Sequence, residues 1–364
     1  MLITRAPMRV SFFGGGTDIQ AYYLQNGGAV LSTTIDKYVY VILNVNSRDG
    51  LQISSSDYRT FYRHPPDEPL LWDGDLSLPR AVLQHFGVTH GVSMFLASEV
   101  PPGTGLGSSS AVTVALIKSV STACGHRLTK AQLAELACYI EIDKLQKPIG
   151  LQDQYAAAFG GLNWISFSAD GVQVERVPVA AETVARLESN LLLAFTGATH
   201  DSAHILSEQT QSSRSGNTRV MSSLHAVHEL ALEARELLTQ GHLSEFGRLL
   251  DRGWQFKKRF ATGVSNTYID HCYEVAKRNG VLGGKIAGAG GGGFLLLYCE
   301  DGTKERVSQA LTAEGLRRMD VHFESDGARV LFNAGLRLDT AGGAEPGATL
   351  GNVEERWLRE PGRN

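Results

Sequence analysis

Residues 101–112 read PPGTGLGSSSAV: two prolines, three glycines within five residues, three serines, then an apolar run. Small residues let backbone N–H groups close in on an anion, yet the stretch meets neither familiar phosphate-loop pattern. A Walker loop needs GxxxxGK[ST], and no lysine follows until Lys118; a dinucleotide turn needs GxGxxG, and after Gly103 and Gly105 the third position is Ser108. The setting says more than the spacing. A strand is predicted to end near Val100, and SSAVTVALIKSVSTAC, from Ser109, has the length and composition of a helix closed by Gly125. The first N–H groups of such a helix have no intrahelical partner, and its dipole adds partial positive charge. Glycines at 103, 105 and 107 permit left-handed backbone and so a nest of N–H donors. The hydroxyls of Ser108, Ser109 and Ser110 can cap the helix, bind a phosphate oxygen or reach Mg²⁺. The plainer reading is a Pro-Gly turn with a serine cap.

A chain of 364 residues exceeds one ordinary core and points to two domains. With 43% hydrophobic and 20% charged residues the composition is globular. The net charge of −4 indicates neither a nucleic-acid nor an anionic membrane surface, so any anion site is local. Cys124, Cys138, Cys272 and Cys299 are scattered without a CxxC pair, as expected of free thiols in a reducing compartment. The first residues carry two arginines and no continuous apolar region, and the longest apolar runs are strand-sized. A cytoplasmic protein with no membrane partner is expected.

The first hundred residues favour strands at 8–13, 29–34, 38–46, 51–54 and 92–97. After the helix from Ser109, a second is predicted from Thr129, where Gln132 completes a capping box, with Leu133, Leu136, Ala137 and Ile140 as its apolar stripe and Pro148 as its stop. A short helix at 155–160 and strands at 162–167 and 171–177 follow. LLLAFT at 191–196 reads as a buried strand opening a second unit. Helices at 218–240, 243–260 and 267–279, a strand at 294–298, a helix at 303–315 and strands at 319–324 and 328–332 complete it as α+β. Beyond Asn333 periodicity is lost, apart from a short helix expected at 353–358.

Two further glycine clusters flank the first. GGGTD at 14–18 ends the first strand. GGKIAGAGGGG at 283–293 matches GxGxxG at Gly288, Gly290 and Gly293, but a strand follows instead of a helix. A loop that must approach a ligand or another backbone fits better.

RAPMRVSFFGGGTD, PPGTGLGSSSA and KIAGAGGGGFLLLY, in this order, resemble the three motifs of the GHMP kinases across roughly residues 4–332. The resemblance implies a two-domain α+β fold. An N-terminal domain (1–185) like ribosomal protein S5 domain 2 would be followed by a ferredoxin-like C-terminal domain (186–333) and a weakly ordered tail (334–364). It implies ATP and Mg²⁺, with Pro102, Gly103, Thr104, Gly105, Leu106, Gly107, Ser108, Ser109 and Ser110 wrapping the nucleotide phosphates. GLQDQYAAAFGG at 150–161 is similar to the sugar-kinase segment that carries the catalytic aspartate, which places Asp153 as base and Arg9 beside the transferring phosphoryl group. Glu141 and Ser109 match the metal-holding pair. On a regular helix Glu141 lies about 40° around from Ala137, at the edge of the apolar stripe; by itself it reads as an exposed helix glutamate.

Galactokinases carry Gly-Glu-His before Thr-Asp, whereas this chain has Gly14-Gly15-Gly16. GGGTD, with GWQFKK at 253–258 and VSNTYID at 264–270, instead resembles the heptose kinases, which phosphorylate D-glycero-D-manno-heptose 7-phosphate at its anomeric hydroxyl. Gly15, Gly16, Thr17, Asp18, Asp153, Gly197, His200, Ser202, Lys258 and Gly290 form the expected substrate set. His200, in TGATHDSAHI, stands where that branch carries arginine. Lys257, Lys258 and Arg259 are candidates for a cationic acceptor pocket; a solvated helix face is the plain reading. His200 and His204, and HAVHE at 225–229, lack any metal-binding pattern. The partner implied is a small sugar or sugar phosphate, with a fucose-, mannose- or galactose-like acceptor as the alternative. A catalytically silent sensor would not need Asp153, Glu141 and three serines together.

Overall fold

The structure is a computed structural model; it describes residues 1–45, 50–56, 59–65, 70–71, 74, 76–197 and 202–338. The expected helix at 353–358 and the rest of the tail beyond 338 lie outside the described residues. Two sheets organise the chain. In the larger, strands run in the order Arg329–Asn333, Leu2–Phe13, Gly28–Val45, Val92–Ser98, Leu51–Ser55, Thr60–His64. Asn163–Ser168 pairs with Gly28–Val45 and with Gly171–Arg176, and Phe323–Glu324 also pairs with Gly28–Val45. The smaller sheet is antiparallel throughout, in the order Arg317–Met319, Leu191–Phe195, Phe294–Cys299, Val281–Ile286.

The strands predicted at 29–34 and 38–46 are one element, Gly28–Val45. The polar Asp36-Lys37 step that looks like a break is a bulge: Pro7 faces Tyr38 and Met8 faces Ile35. The opposing strand Leu2–Phe13 alternates in burial up to Arg5 and is buried throughout from Ala6. Helices Ser108–Ala123, Gln152–Phe159, Thr218–Gln240 and Leu243–Lys257 all pack on it. A strand covered in this way reads as a largely apolar run, and the one charge in its buried part from Ala6, Arg9, must find partners there.

Helix Ser108–Ala123 is buried on nearly every side, which explains its lack of an apolar stripe: Ser, Thr, Ala and Val fill a crowded interior. The next helix, Lys130–Cys138, starts with the expected capping box. Gln132 N donates to Thr129 Oγ1 at 3.2 Å and Thr129 N to Gln132 Oε1 at 3.0 Å. It does not continue to Pro148. From Tyr139 to Lys144 the coil widens, and Leu145 N reaches back five residues to Ile140 O at 3.0 Å.

Two placements differ from the sequence reading. Phe323–Glu324 and Arg329–Asn333, expected to complete the second unit, cross back and join the first sheet. Val281–Ile286, overlapping a glycine cluster, is the edge strand of the second, paired with Phe294–Cys299 and largely buried. Local composition predicts a strand, but pairing is decided by what lies alongside. All four cysteines are free thiols, three of them buried. Among the described residues no helix is long and apolar enough to cross a membrane.

Candidate active site

The site is built around Arg9. Its Nε and Nη2 donate to Asp153 Oδ1 at 2.7 Å and Oδ2 at 2.8 Å, and Nη1 donates to Gly105 O at 2.6 Å. Its own backbone N–H donates to Leu106 O at 3.0 Å. One arginine therefore ties the first strand, the glycine loop and the first turn of helix Gln152–Phe159 together. The two-pronged pair is the geometry at which guanidinium and carboxylate bind most strongly. A quarter of the Asp153 side chain faces the cleft and the rest is packed. That burial pushes its carboxyl above the usual aspartate range, while Arg9 pulls it back.

Gly103, Gly105 and Gly107 all have positive φ (74°, 85° and 75°), the alternation that turns successive N–H groups toward one point. No side chain caps helix Ser108–Ala123, so its first N–H groups open on the cleft. The serines do other work. Ser109 Oγ lies 3.3 Å from Glu141 Oε1, and Lys147 Nζ contacts both at 3.0 and 3.1 Å. Glu141 is fully buried, with Oε2 accepting from Gln154 Nε2 at 2.7 Å. The widened turn carries Glu141 inward from the helix surface that regular spacing assigns to it.

The third glycine cluster packs directly on the second. A Cβ on Gly105 would meet Ala287 O at 2.4 Å, and one on Gly288 would meet Gly105 Cα at 2.5 Å. Phe294 N donates to Thr104 O at 3.2 Å. The close backbone approach expected of 283–293 is made to the phosphate-type loop itself.

On the opposite wall, Asp18 is buried. Its Oδ1 accepts from Gly16 N at 2.9 Å and its Oδ2 from Gln152 N and Nε2 at 3.2 and 3.0 Å. Lys257 ends helix Leu243–Lys257 and donates to Ile286 O at 2.8 Å and to Gly288 O. Burial, with Arg9 nearby, lowers its ammonium to about 7. The cleft between the walls has a cavity volume of about 180 Å³.

Of the expected residues, Arg9, Gly15, Gly16, Asp18, Gly103, Gly105, Gly107, Ser108, Ser109, Ser110 and Asp153 line this cleft. Others do not. Thr17 is buried, its hydroxyl donating to Gly14 O; Thr104 bonds Pro101 O; Leu106 is core. Pro102 and Gly197 lie off the cleft, and Gly290 packs against Val264. Lys258 does not line the cleft: its Nζ turns out to Asp270 at 3.6 Å, and the helix presents Lys257 to the cleft, because neighbouring helical residues point about 100° apart. His200 lies outside the described residues, as does the side chain of Ser202. Lys147, Gln152, Gln154, Gln209 and Lys285 were missed. Gln152 and Gln154 flank Asp153 in QDQ, the one local signal available.

Residues 77–161 match the GHMP kinases N terminal domain and residues 234–316 the GHMP kinases C terminal domain. The chain is 30% identical over 333 residues to the D-glycero-alpha-D-manno-heptose 7-phosphate kinase of Campylobacter jejuni, covering 90% of this chain and 97% of that protein. The chain belongs to the GHMP kinase family. It shares 26% identity over 329 residues with the L-fucokinase/L-fucose-1-P guanylyltransferase of Bacteroides fragilis, covering 82% of this chain and 34% of that one. A crystal structure titled D-glycero-D-manno-heptose 1-phosphate kinase, from Bacteroides thetaiotaomicron, superposes with a TM-score of 0.77 at 27% identity, covering 92% of this chain and 99% of that one. As a GHMP kinase with the two-domain α+β architecture of that family, it is an ATP-dependent phosphotransferase with an alcohol group as acceptor.

Proposed function

We propose that this GHMP kinase is a sugar kinase that transfers the γ-phosphoryl group of ATP to the anomeric hydroxyl of D-glycero-D-manno-heptose 7-phosphate, giving the 1,7-bisphosphate. The observation that carries the reaction is the Arg9–Asp153 pair held beneath the uncapped helix end and its glycine nest. The full-length similarity to the heptose 7-phosphate kinase supports the acceptor.

Phosphoryl transfer asks for positioning and charge stabilisation more than for covalent chemistry. The N–H groups of 103–110 and the helix end hold the nucleotide phosphates in line with the acceptor. Asp153 accepts the proton of the attacking hydroxyl, for which its raised pKa suits it. Arg9 stabilises charge on the phosphoryl group in flight and orients Asp153 meanwhile. Asp18 has both oxygens engaged with Gly16 and Gln152, so it shapes the acceptor turn besides offering remaining lone pairs to sugar hydroxyls.

Ser109 and Glu141, 3.3 Å apart at the helix end, fit Mg²⁺, which takes one or two protein oxygens and completes its shell with phosphate and water. Held by these two residues, the ion would supply charge neutralisation to the nucleotide phosphates. Among the described residues no larger His, Cys, Asp and Glu cluster competes for a metal.

The test is ³¹P NMR of the products formed from Mg-ATP with heptose 7-phosphate, mannose and fucose in parallel. A new anomeric phosphate signal only with the heptose 7-phosphate is expected. Turnover of fucose or mannose instead would replace the acceptor and keep the reaction. Tight sugar binding with no turnover would favour a sensor.

A further inference from the structure

Lys285 stands in strand Val281–Ile286, paired opposite Leu296. It is 7% exposed, and among the described residues it has neither a hydrogen-bond nor an ion-pair partner. Lys257 beside it differs, because two backbone carbonyls receive its ammonium. The Lys285 stem is buried while the residue lines the cleft with no protein partner for its ammonium among the described residues; a charge so poorly solvated is disfavoured, so a group from outside the protein is the natural complement.

The position narrows what that group is. Lys285 and Lys257 line the main cleft with Arg9, Asp18 and Asp153. They also border a smaller adjoining cavity of about 20 Å³, walled chiefly by Phe12, Phe13, Val227, Leu230 and Leu250, so the room for a phosphate is in the main cleft of about 180 Å³. In the main cleft the lysine pair stands between Gly15, Gly16 and Asp18 of the acceptor turn and Gly288, whose carbonyl receives Lys257. We propose that Lys285, backed by Lys257, binds the anionic group of the acceptor, a phosphate monoester, and thereby selects phosphorylated over free sugars. This rests on the sugar-phosphate reading above and deepens it by naming the residue that enforces it.

Burial and the charges of Lys257 and Arg9 hold the Lys285 ammonium well below the ordinary lysine range, with Asp18 pulling the other way. A phosphate dianion arriving at the pocket favours the charged form, so binding takes up a proton.

The experiment compares wild type with Lys285→Met and Lys285→Arg on heptose 7-phosphate and on the unphosphorylated heptose, with thermal melts to confirm folding. For Lys285→Met the preference for the phosphorylated acceptor, measured as the ratio of kcat/KM values, should fall by about 30-fold or more through KM. Lys285→Arg should recover part of it. Calorimetry without ATP, in two buffers of different ionisation enthalpy near pH 8, should show proton uptake on heptose 7-phosphate binding in wild type and a smaller uptake, carried by Lys257 alone, in Lys285→Met. A loss of kcat equal for both acceptors would assign Lys285 to the transferred phosphoryl group and overturn the proposal. If wild type prefers the phosphorylated sugar and Lys285→Met keeps that preference, the proposal fails and the substrate reading stands. If wild type has no such preference, both fall.

Discussion

The two walls of the cleft are made from different materials. The wall at 103–110 is backbone: three left-handed glycines, an uncapped helix end, and a second glycine strand-turn pressed against it. The facing wall is side chain: Asp18 clasped by Gln152, with Lys257 and Lys285 behind it. A phosphate chain offers the same oxygens in every nucleotide, so fixed amides suffice to hold it. An acceptor must be told from its relatives, and only side chains differ enough to do that. Comparing the walls teaches that chemistry common to a family can reside in main chain while selectivity resides in the residues around it.

That contrast can be broken by substitution. The largest effect is expected at the junction of the walls. Asp153→Asn should lower kcat by about 10²–10⁴ while leaving the fold intact. In wild type, protonation of Asp153 removes the base, so kcat/KM should fall with decreasing pH along a limb above the ordinary aspartate range, and the variant should lack that limb. Near wild-type turnover in Asp153→Asn would remove Asp153 from the mechanism.

Glu141→Gln comes next. Losing the buried carboxylate should raise the Mg²⁺ concentration for half-maximal activity by roughly 10–100-fold, and Mn²⁺ binding followed by electron paramagnetic resonance should weaken in parallel. Unchanged metal affinity would move the ion elsewhere. On the backbone wall, Gly105→Ala forces a Cβ to within 2.4 Å of Ala287 O in a left-handed residue. A cost of about 1–3 kcal/mol in stability is expected, seen as a lower melting temperature, with a rise in KM for ATP. If the variant melts like wild type, the two glycine clusters are not locked together.

The smallest effect is predicted at Lys258. Its 3.6 Å pair with Asp270 is partly exposed, so Lys258→Ala should cost no more than about 1 kcal/mol and leave the acceptor KM within about twofold. A large KM change there would mean that the helix presents both lysines to the substrate.

The backbone wall was the more legible one. Glycine and serine at a strand-to-helix junction announce a left-handed loop and free N–H groups wherever they occur, and the capping box at Thr129 was as plain. Arg9, Glu141 and Asp153 were placed by resemblance, but their contacts were not readable. Glu141 moves inward because the helix widens after Cys138, and no residue type signals such a turn. Lys257 and Lys258 looked interchangeable until the helix orientation was known. Lys285 was concealed in a glycine cluster that reads as loop and folds as strand.

What the sequence determined by itself was therefore local: strands and helices from periodicity, a cap from Thr129 and Gln132, a phosphate-type loop from three glycines and three serines. Each depends on interactions between residues a few positions apart. Tertiary structure alone decided that Arg329–Asn333 returns to the first sheet, that Gly105 rests on Gly288, and that Lys285 lines the cleft beside Lys257 with no side-chain partner among the described residues. Those arrangements depend on which surfaces exclude water from one another across long stretches of chain, and no window of neighbouring residues contains that information.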